Sequence, residues 1–178
     1  MKEKYFLLVS GNRWLKNNLR VIVAFDNLFE KGYLEGYKVV ITGVKSFKQF
    51  KKRIKNINRF EILDYVDDKK LQQLYEKAFC FLFPSLNEGF GIPPLEAMRY
   101  GTPVIATNLS SVPEVCGDAA VYIDPFSIDD IMSKILMLTY EQSIYLEIQN
   151  RSVFHYRELI EKTISDTDNY IDYVISES

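Results

Sequence analysis

The sequence has few of the residues from which metal centres and disulfide frameworks are built. Its 178 residues include two cysteines, Cys80 and Cys116, and one histidine, His155. These three residues do not show the paired spacing of a metal site. Cys80 lies inside an apolar run, where an inert core thiol is the favoured interpretation. The sequence therefore predicts no metal site and no disulfide, and it predicts a packing or surface role for His155.

The chain also lacks a large net charge and extended apolar segments. The formal net charge is −2, whereas bulk nucleic-acid binding normally needs a marked basic excess. No apolar run approaches the ~20 residues of a membrane span, and the first residues lack a signal-peptide pattern. We therefore expect a cytoplasmic, reducing setting. No G-x-G-x-x-G follows the first apolar run, which disfavours a dehydrogenase.

The residues that are present are typical of one globular domain with a sizeable core. Hydrophobic residues make up 47% of the chain and aromatic residues 14%. Short apolar runs predict strands at Tyr5–Ser10, Tyr37–Val44, Phe60–Tyr65, Phe79–Phe83, Val104–Thr107 and Ala120–Asp124. Periodic or capped segments between and after them predict helices at 16–33, 67–78, from Pro93 or Pro94 to Gly101, 111–116, from Ser127 onward, and two more within 141–175. This alternation predicts an α/β fold with a parallel sheet and helices on both faces.

The stretch Pro84–Thr107 is the centre of the sequence, and it has the order strand end, glycine loop, helix, turn and strand. Gly89 and Gly91 allow a tight turn and a close approach to a ligand. The helix that follows offers unpaired N–H groups and a partial positive charge, which together favour an anion. Glu88 and Glu96 flank this point with seven residues between them, and we expect Glu96 in the first helical turn. Carboxylates here suit hydroxyl groups better than phosphate, so the pattern indicates a nucleotide sugar.

The segment NEGFGIPPLEAM resembles the hallmark motif of retaining GT-B glycosyltransferases of the large sucrose-synthase-like group, the glycosyl transferases group 1 family. Three further segments resemble this family in the same order: LVSGNRWLKNNLRVIVAFDNL, LDYVDDKKLQQLYEKAFCFLFPS and GTPVIATNLSSVPEVCGDAAVYIDPFSIDDI. The resemblance covers roughly residues 5 to 140. It implies a Rossmann-like domain that forms the C-terminal half of a GT-B fold. We expect residues 1–178 to be this single donor-binding domain, with the N-terminal acceptor domain absent and the helices of about 141–175 following the core.

The resemblance also implies roles for individual residues. Arg13 and Lys16 would contact the diphosphate of the donor, Glu88 would contact the donor sugar, and Glu96 would bind the ribose hydroxyls. The residues expected to contribute to donor binding through the backbone or by their position are Gly11, Tyr65, Val66, Asn87, Gly89, Phe90 and Gly91. No metal and no cofactor are implied, because protein cations take the place of a divalent ion and the nucleotide sugar is a substrate.

Less specific interpretations of the same residues remain open. Arg13 and Lys16 could be solvated surface cations, and Phe90 could be a core aromatic residue. Tyr65 and Val66 could be an ordinary strand exit. The segment Lys45–Arg59 holds seven basic residues in fifteen. It could be a solvated helical face or a contact with an anionic membrane surface.

The function that the resemblance implies is transfer of a sugar from a nucleotide-diphosphate sugar to a hydroxyl acceptor, with retention, in polysaccharide or glycoconjugate synthesis. The acceptor sugar or lipid-linked glycan would be bound by the missing N-terminal domain or by a partner chain, so the isolated domain is expected to be inactive. The alternative is a non-catalytic nucleotide-sugar-binding or regulatory subunit that acts with a separate partner chain.

Overall fold

A computed structural model describes residues 2–9, 16–44 and 53–176, except for the side chains of 168–176. Gly11, Arg13 and the first eight residues of the basic segment Lys45–Arg59 lie outside the described residues.

The core of the domain is a six-stranded sheet in the order β3-β2-β1-β4-β5-β6. Its strands are β1 Glu3–Val9, β2 Lys38–Thr42, β3 Phe60–Ile62, β4 Ala78–Phe83, β5 Val104–Thr107 and β6 Ala120–Ile123. Every pair of neighbouring strands is parallel. This is the strand order of a doubly wound nucleotide-binding sheet, and it confirms the predicted fold class.

Helices cover both faces of the sheet. They are α1 Asn18–Glu30, α2 Asp68–Lys77, α3 Ile92–Arg99, α4 Val112–Cys116, α5 Ile128–Tyr140 and α6 Gln142–Ser176, and a short 3₁₀ turn spans Ile57–Arg59. Helices α1 and α5 pack on one face, where Phe6 and Leu82 belong to the buried cluster. Helices α2, α3 and α4 pack on the other face, against residues such as Leu7 and Phe81. Because side chains alternate along a strand, each buried strand supplies both clusters.

Local sequence signals set several of the helix starts. The Asp67 carboxylate accepts a hydrogen bond from the Lys70 amide at 2.7 Å, which caps α2. The Ser127 hydroxyl accepts one from the Asp130 amide at 3.1 Å, which caps α5. The Asp130 carboxylate accepts from the Asp124 amide at 2.8 Å and not from the Ser127 amide, so the reciprocal bond of a capping box is not formed.

The prediction of two separate helices after residue 141 was wrong, since a single helix of 35 residues, α6, occupies this segment. It contains no glycine or proline, so nothing in it forces a break.

Helix α6 passes beneath the amino ends of three strands. The Tyr145 hydroxyl donates to the Phe79 carbonyl at 3.2 Å, and the Gln149 amide donates to the Gly101 carbonyl at 3.0 Å. The Ser152 hydroxyl donates to the Ala119 carbonyl at 3.2 Å. The amino ends are therefore covered, and the carboxyl ends, where open α/β sheets bind ligands, are not covered by α6 at these points.

The described part of the basic segment is largely committed to the fold. The Arg59 guanidinium donates to the carbonyls of Leu34 and Tyr37 at 2.7 Å and 2.5 Å. Lys55 pairs with Glu30 at 2.5 Å, and the buried Asp26 carboxylate accepts from the Lys55 and Asn56 amides. Arg53 and Lys55 are nevertheless exposed, and the other four basic residues of the segment lie outside the described residues. No helix in the described ranges is both long enough and apolar enough to cross a bilayer.

Candidate functional site

The sheet has a topological switch point between β1 and β4. Strand β1 lies between β2 and β4, and the chain proceeds outward in opposite directions on the two sides of this point. Ligands of such sheets bind in the crevice outside the carboxyl ends of the strands at this place. Lys16 lies on the connection that follows β1, and residues 84–91 form the connection that follows β4. Lys16 and the connection after β4 thus lie at the same crevice.

Lys16 and Glu88 are in direct contact across this crevice. The Lys16 Nζ atom lies 2.6 Å from Glu88 Oε1, and the two side chains are only 21% and 17% exposed. Lys16 Nζ also lies 5.1 Å from the centre of the Phe83 ring. Partial burial strengthens an ion pair relative to a fully exposed one. The structure therefore brings together two of the predicted residues, which are 72 positions apart in the sequence.

The residue after Lys16 fixes the position of this connection. Asn17 is buried and adopts the left-handed backbone conformation, with φ of 52°. Its side-chain amide donates to the Pro125 carbonyl at 2.7 Å. This hydrogen bond ties the start of α1 to the connection between β6 and α5, so Lys16 projects from an anchored backbone.

The glycine loop leads into α3 through Gly91, whose φ of 103° strongly favours glycine. Helix α3 begins at Ile92, one residue before the predicted start. Pro93 and Pro94 fall at its second and third positions and carry no N–H group. The expectation of several free N–H groups within the first helical turn is therefore corrected. The donors are instead the amides of Gly89, Phe90, Gly91 and Ile92, for which no acceptor occurs among residues 2–9, 16–44 and 53–176.

Glu96 is the fifth residue of α3, not a first-turn residue as expected. It projects toward α2, where the Tyr75 hydroxyl donates to Glu96 Oε2 at 3.0 Å. Burial, and then the Glu96 carboxylate, raise the pKa of Tyr75, so Tyr75 stays a neutral donor. Both residues line a cavity of about 220 Å³ between α2 and α3, which Asp68, Gln72 and Arg99 also line.

Two serines that sequence reasoning missed hold the glycine loop in place. The Ser110 hydroxyl donates to the Glu88 carbonyl at 2.8 Å and lies 3.4 Å from Asn87 Oδ1. The Ser111 hydroxyl donates to the Phe90 carbonyl at 3.0 Å. Asn87 is exposed and lies in this contact zone. Nothing in the local pattern SSVPEV indicates such contacts, which join residues more than 20 positions apart.

The other predicted donor-binding residues, Phe90, Tyr65 and Val66, differ in their exposure and in their distance along the sheet from β1. Phe90 is 55% exposed, which excludes the core-aromatic interpretation. Tyr65 is 83% exposed and follows β3, two strands away from β1 at the same edge of the sheet. Val66 is half-buried beside it. No hydrogen bond or ion pair joins Tyr65 or Val66 to Lys16 or Glu88 in the part of the chain that the structure describes. Gly11 and Arg13 lie outside that part.

The sequence model of the family described as "Glycosyl transferases group 1" matches residues 1–152. The chain belongs to this family.

Relatives within the family include two curated bacterial proteins. The chain is 33% identical over 143 residues to O-antigen chain mannosyltransferase B of Escherichia coli. The aligned region covers 78% of this chain and 38% of that protein. It is 32% identical over 128 residues to O-antigen chain mannosyltransferase RfbU of Salmonella typhimurium. That aligned region covers 70% of this chain and 35% of that protein. The chain therefore spans little more than a third of the length of these relatives.

Solved structures give the same fold assignment. The C-terminal domain of a glycosyl transferase group 1 family protein from Francisella tularensis has a TM-score of 0.73 at 23% identity, covering 89% of this chain and 87% of that chain. Sucrose-phosphate synthase from Thermosynechococcus elongatus has a TM-score of 0.78 at 17% identity, covering 99% of this chain and 46% of that chain. The predicted C-terminal half of a GT-B fold is confirmed.

Proposed function

We propose that this chain is the donor-binding domain of a retaining glycosyltransferase that transfers a hexosyl unit, with mannosyl as the first candidate, from a nucleoside-diphosphate sugar to a hydroxyl acceptor. The two curated relatives are named as O-antigen chain mannosyltransferases, which supports mannose and surface-polysaccharide synthesis. The observation that carries the proposal is the Lys16–Glu88 contact of 2.6 Å at the switch point of the sheet. This contact supports the proposal because open α/β sheets bind their ligands at the switch point, outside the carboxyl ends of the strands.

The diphosphate is the part of the donor that these groups suit best. Negative charge gathers on the diphosphate as the bond to the sugar breaks, and fixed donors aimed at that charge stabilise the transition state. Lys16 and the amides of Gly89, Phe90, Gly91 and Ile92 would supply the donors. Arg13 is proposed for the same role because it lies in the segment LVSGNRWLKNNLRVIVAFDNL, which resembles the family. In this proposal protein cations replace a divalent ion.

The two carboxylates would bind hydroxyl groups of the same donor. Glu88 is the partner of Lys16, so an incoming diphosphate competes with it for the ammonium. Once released, the Glu88 carboxylate can accept hydrogen bonds from the sugar. Glu96 is held by Tyr75 in the cavity between α2 and α3. One of its oxygens can accept from the ribose, and the exposed Tyr65 would lie beside the base.

The acceptor would be held by chain beyond this domain or by a separate polypeptide. The proposal for the whole enzyme therefore includes an acceptor glycan, retention at the anomeric carbon, and little transfer by this domain alone. Retention is measured on the product of the complete enzyme, because the one-bond coupling between the anomeric carbon and its proton in an NMR spectrum distinguishes the two configurations for mannosyl units.

Donor binding is tested by thermal shift and calorimetry on the chain itself, with mannose and glucose carried on GDP, UDP and ADP. A ligand present at a hundredfold excess over its Kd stabilises the native state by about 2.7 kcal/mol, which for a domain of this size corresponds to a rise in Tm of roughly 5–10 °C. We expect one nucleotide to give such a rise and the others to give less. No rise with any nucleotide, at concentrations up to 10 mM as a rough upper limit for weak sites, contradicts the proposal.

A further inference from the structure

Ser110 and Ser111 contact the backbone of the glycine loop mainly through its carbonyl groups, and the Glu88 amide also donates to the Ser110 hydroxyl at 3.4 Å. The Ser110 hydroxyl donates to the Glu88 carbonyl at 2.8 Å, and the Ser111 hydroxyl lies 3.3 Å from the same oxygen. The Ser111 hydroxyl also donates to the Phe90 carbonyl at 3.0 Å. These contacts fix two peptide groups, Glu88–Gly89 and Phe90–Gly91.

Fixing the carbonyl of a peptide group also fixes the direction of its N–H group. A trans peptide is planar, and its C=O and N–H bonds point in opposite directions. The carbonyls of Glu88 and Phe90 point toward the serines, so the N–H groups of Gly89 and Gly91 point away from them. These two amides have no acceptor within the described ranges. A Cβ atom added at Gly89 would meet nothing within 4 Å, so the space beside Gly89 is open.

Both serines have an unfavourable local feature in this arrangement: Ser110 in its backbone conformation and Ser111 in its missing N-cap hydrogen bond. Ser110 adopts φ of 60°, a left-handed conformation that costs energy for a residue other than glycine. Ser111 occupies the N-cap position of α4, where serine normally accepts from a helix amide. Its hydroxyl accepts from no amide in the described part of α4. Unfavourable local geometry of this kind is typical of residues that are held for function.

We propose that Ser110 and Ser111 are positioning residues that aim the Gly89 and Gly91 amides at the diphosphate of the donor. The proposal rests on the donor-binding function proposed above. The serines do not touch the donor themselves, since they lie behind the peptide groups. They determine whether the loop presents two aligned N–H groups or a carbonyl oxygen to the bound anion.

The test compares substitutions that differ in one property at a time. Ser111→Ala removes the hydroxyl, and Ser111→Thr keeps it. Ser110→Ala removes the hydroxyl and keeps the strained conformation, whereas Ser110→Gly removes the hydroxyl and relieves the strain. The affinity of each variant is measured by calorimetry for the nucleoside diphosphate among GDP, UDP and ADP that the unmodified chain binds best, and for the matching nucleoside.

We expect Ser111→Ala to bind the diphosphate about fivefold more weakly, the effect of one hydrogen bond, with an unchanged affinity for the nucleoside. The diphosphate affinity of Ser111→Thr should remain within about twofold of that of the unmodified chain, because the hydroxyl is kept. Ser110→Gly should melt at an equal or higher temperature and still lose diphosphate affinity, which a merely structural role would not produce. In ¹⁵N-labelled protein, the Gly89 and Gly91 amide signals should shift on diphosphate addition, and should shift less in Ser111→Ala.

Two other outcomes have separate meanings. If the unmodified chain binds a diphosphate and the serine variants bind it equally well, or lose diphosphate and nucleoside affinity alike, the positioning role is overturned and the donor site stands. If the unmodified chain binds none of the three diphosphates, the donor site is overturned, and the positioning role with it.

Discussion

Lys16 is the residue on which the proposed diphosphate interaction depends most. Its ammonium lies against Glu88 and above the Phe83 ring, so it is already partly desolvated and directed into the crevice. Lys16→Ala should therefore weaken nucleoside diphosphate binding by about tenfold, as expected for a hydrogen bond between charged groups. The free nucleoside should lose little affinity.

The control for Lys16 is Lys31→Ala, which removes an exposed lysine at the exit of α1. It alters the net charge equally and should leave both affinities unchanged. Equal losses for diphosphate and nucleoside in Lys16→Ala, measured by calorimetry, would remove Lys16 from the diphosphate contact.

Glu96 and Tyr75 form a second pair whose role can be separated from stability. Glu96→Ala should weaken binding of a ribonucleoside diphosphate, because ribose hydroxyls lose their acceptor, and it should leave the domain folded. Tyr75→Phe removes only the hydroxyl that donates at 3.0 Å, so it should give a smaller loss in the same direction. A diphosphate that lacks the 2′ and 3′ hydroxyls should bind equally to all three proteins. Unchanged ribonucleotide affinity in Glu96→Ala would exclude Glu96 from the site.

Two glycines that each follow the C-terminal end of a helix test how closely α6 packs against α3. Gly32 and Gly101 each follow the last residues of a helix, α1 and α3, with φ of 78° and 60°. A Cβ atom at Gly32 would meet nothing within 4 Å, whereas one at Gly101 would lie 3.0 Å from Val153 Cγ2 of α6. Gly32→Ala should cost about 1–2 kcal/mol through backbone strain alone. Gly101→Ala should cost about 1 kcal/mol more, because it crowds the contact with α6.

The measurement is the free energy of unfolding from urea denaturation of both variants. The double variant Gly101→Ala with Val153→Ala should recover the additional loss. Equal costs for the two single variants would show that α6 is not closely packed on the end of α3.

The sequence pattern alone predicts most of the helices and strands, but it does not predict the contacts between them. Buried strands and capped helices have local causes, such as the apolar run of β4 and the Asp67 cap of α2, so the sequence predicts them. The start of α3 shifted by one residue, because Ile92 adopts a helical conformation despite the proline that follows it. Helix α6 was predicted as two helices, since its polar stretch weakens the periodic signal, but packing under the strands holds its first half together.

The residues of the candidate site that belong to a sequence motif could be predicted. The residues that reach the site only through three-dimensional contacts could not. Glu88 and Glu96 stand in one short motif, and Lys16 is recognisable by its place after β1. The Lys16–Glu88 contact, the Tyr75–Glu96 hydrogen bond and the two serines behind the loop depend on how separate connections meet at the edge of the sheet. No local rule links residues so far apart in the sequence.

For the molecule as a whole, Lys2 should introduce a pH dependence of stability. Its ammonium donates to the Tyr100 carbonyl at 3.2 Å and to the Thr102 hydroxyl, and burial lowers the pKa of Lys2 to about 8. The unfolded chain then binds more protons than the folded one between pH 8 and the ordinary lysine pKa of 10.5. The contribution of Lys2 to stability therefore rises with pH through this window.

Urea denaturation of the unmodified protein and of Lys2→Met at several pH values between 7 and 9.5 checks this expectation, because the difference between the two proteins cancels the cysteine and tyrosine ionisation that they share. The unmodified protein should gain stability relative to Lys2→Met as the pH rises, and Lys69→Met, which alters an exposed lysine, should follow the unmodified profile. Parallel profiles for the unmodified protein and Lys2→Met would contradict the lowered pKa of Lys2.

The most direct test of the donor site is a crystal structure of the chain with a bound nucleoside diphosphate. The diphosphate should lie at the carboxyl ends of β1 and β4, with its oxygens within about 3.5 Å of Lys16 Nζ and of the Gly89 and Gly91 amides, and Glu88 should no longer contact Lys16. A crevice that stays unoccupied under saturating ligand, or a diphosphate bound elsewhere such as the groove between Phe90 and Leu159, would contradict the account.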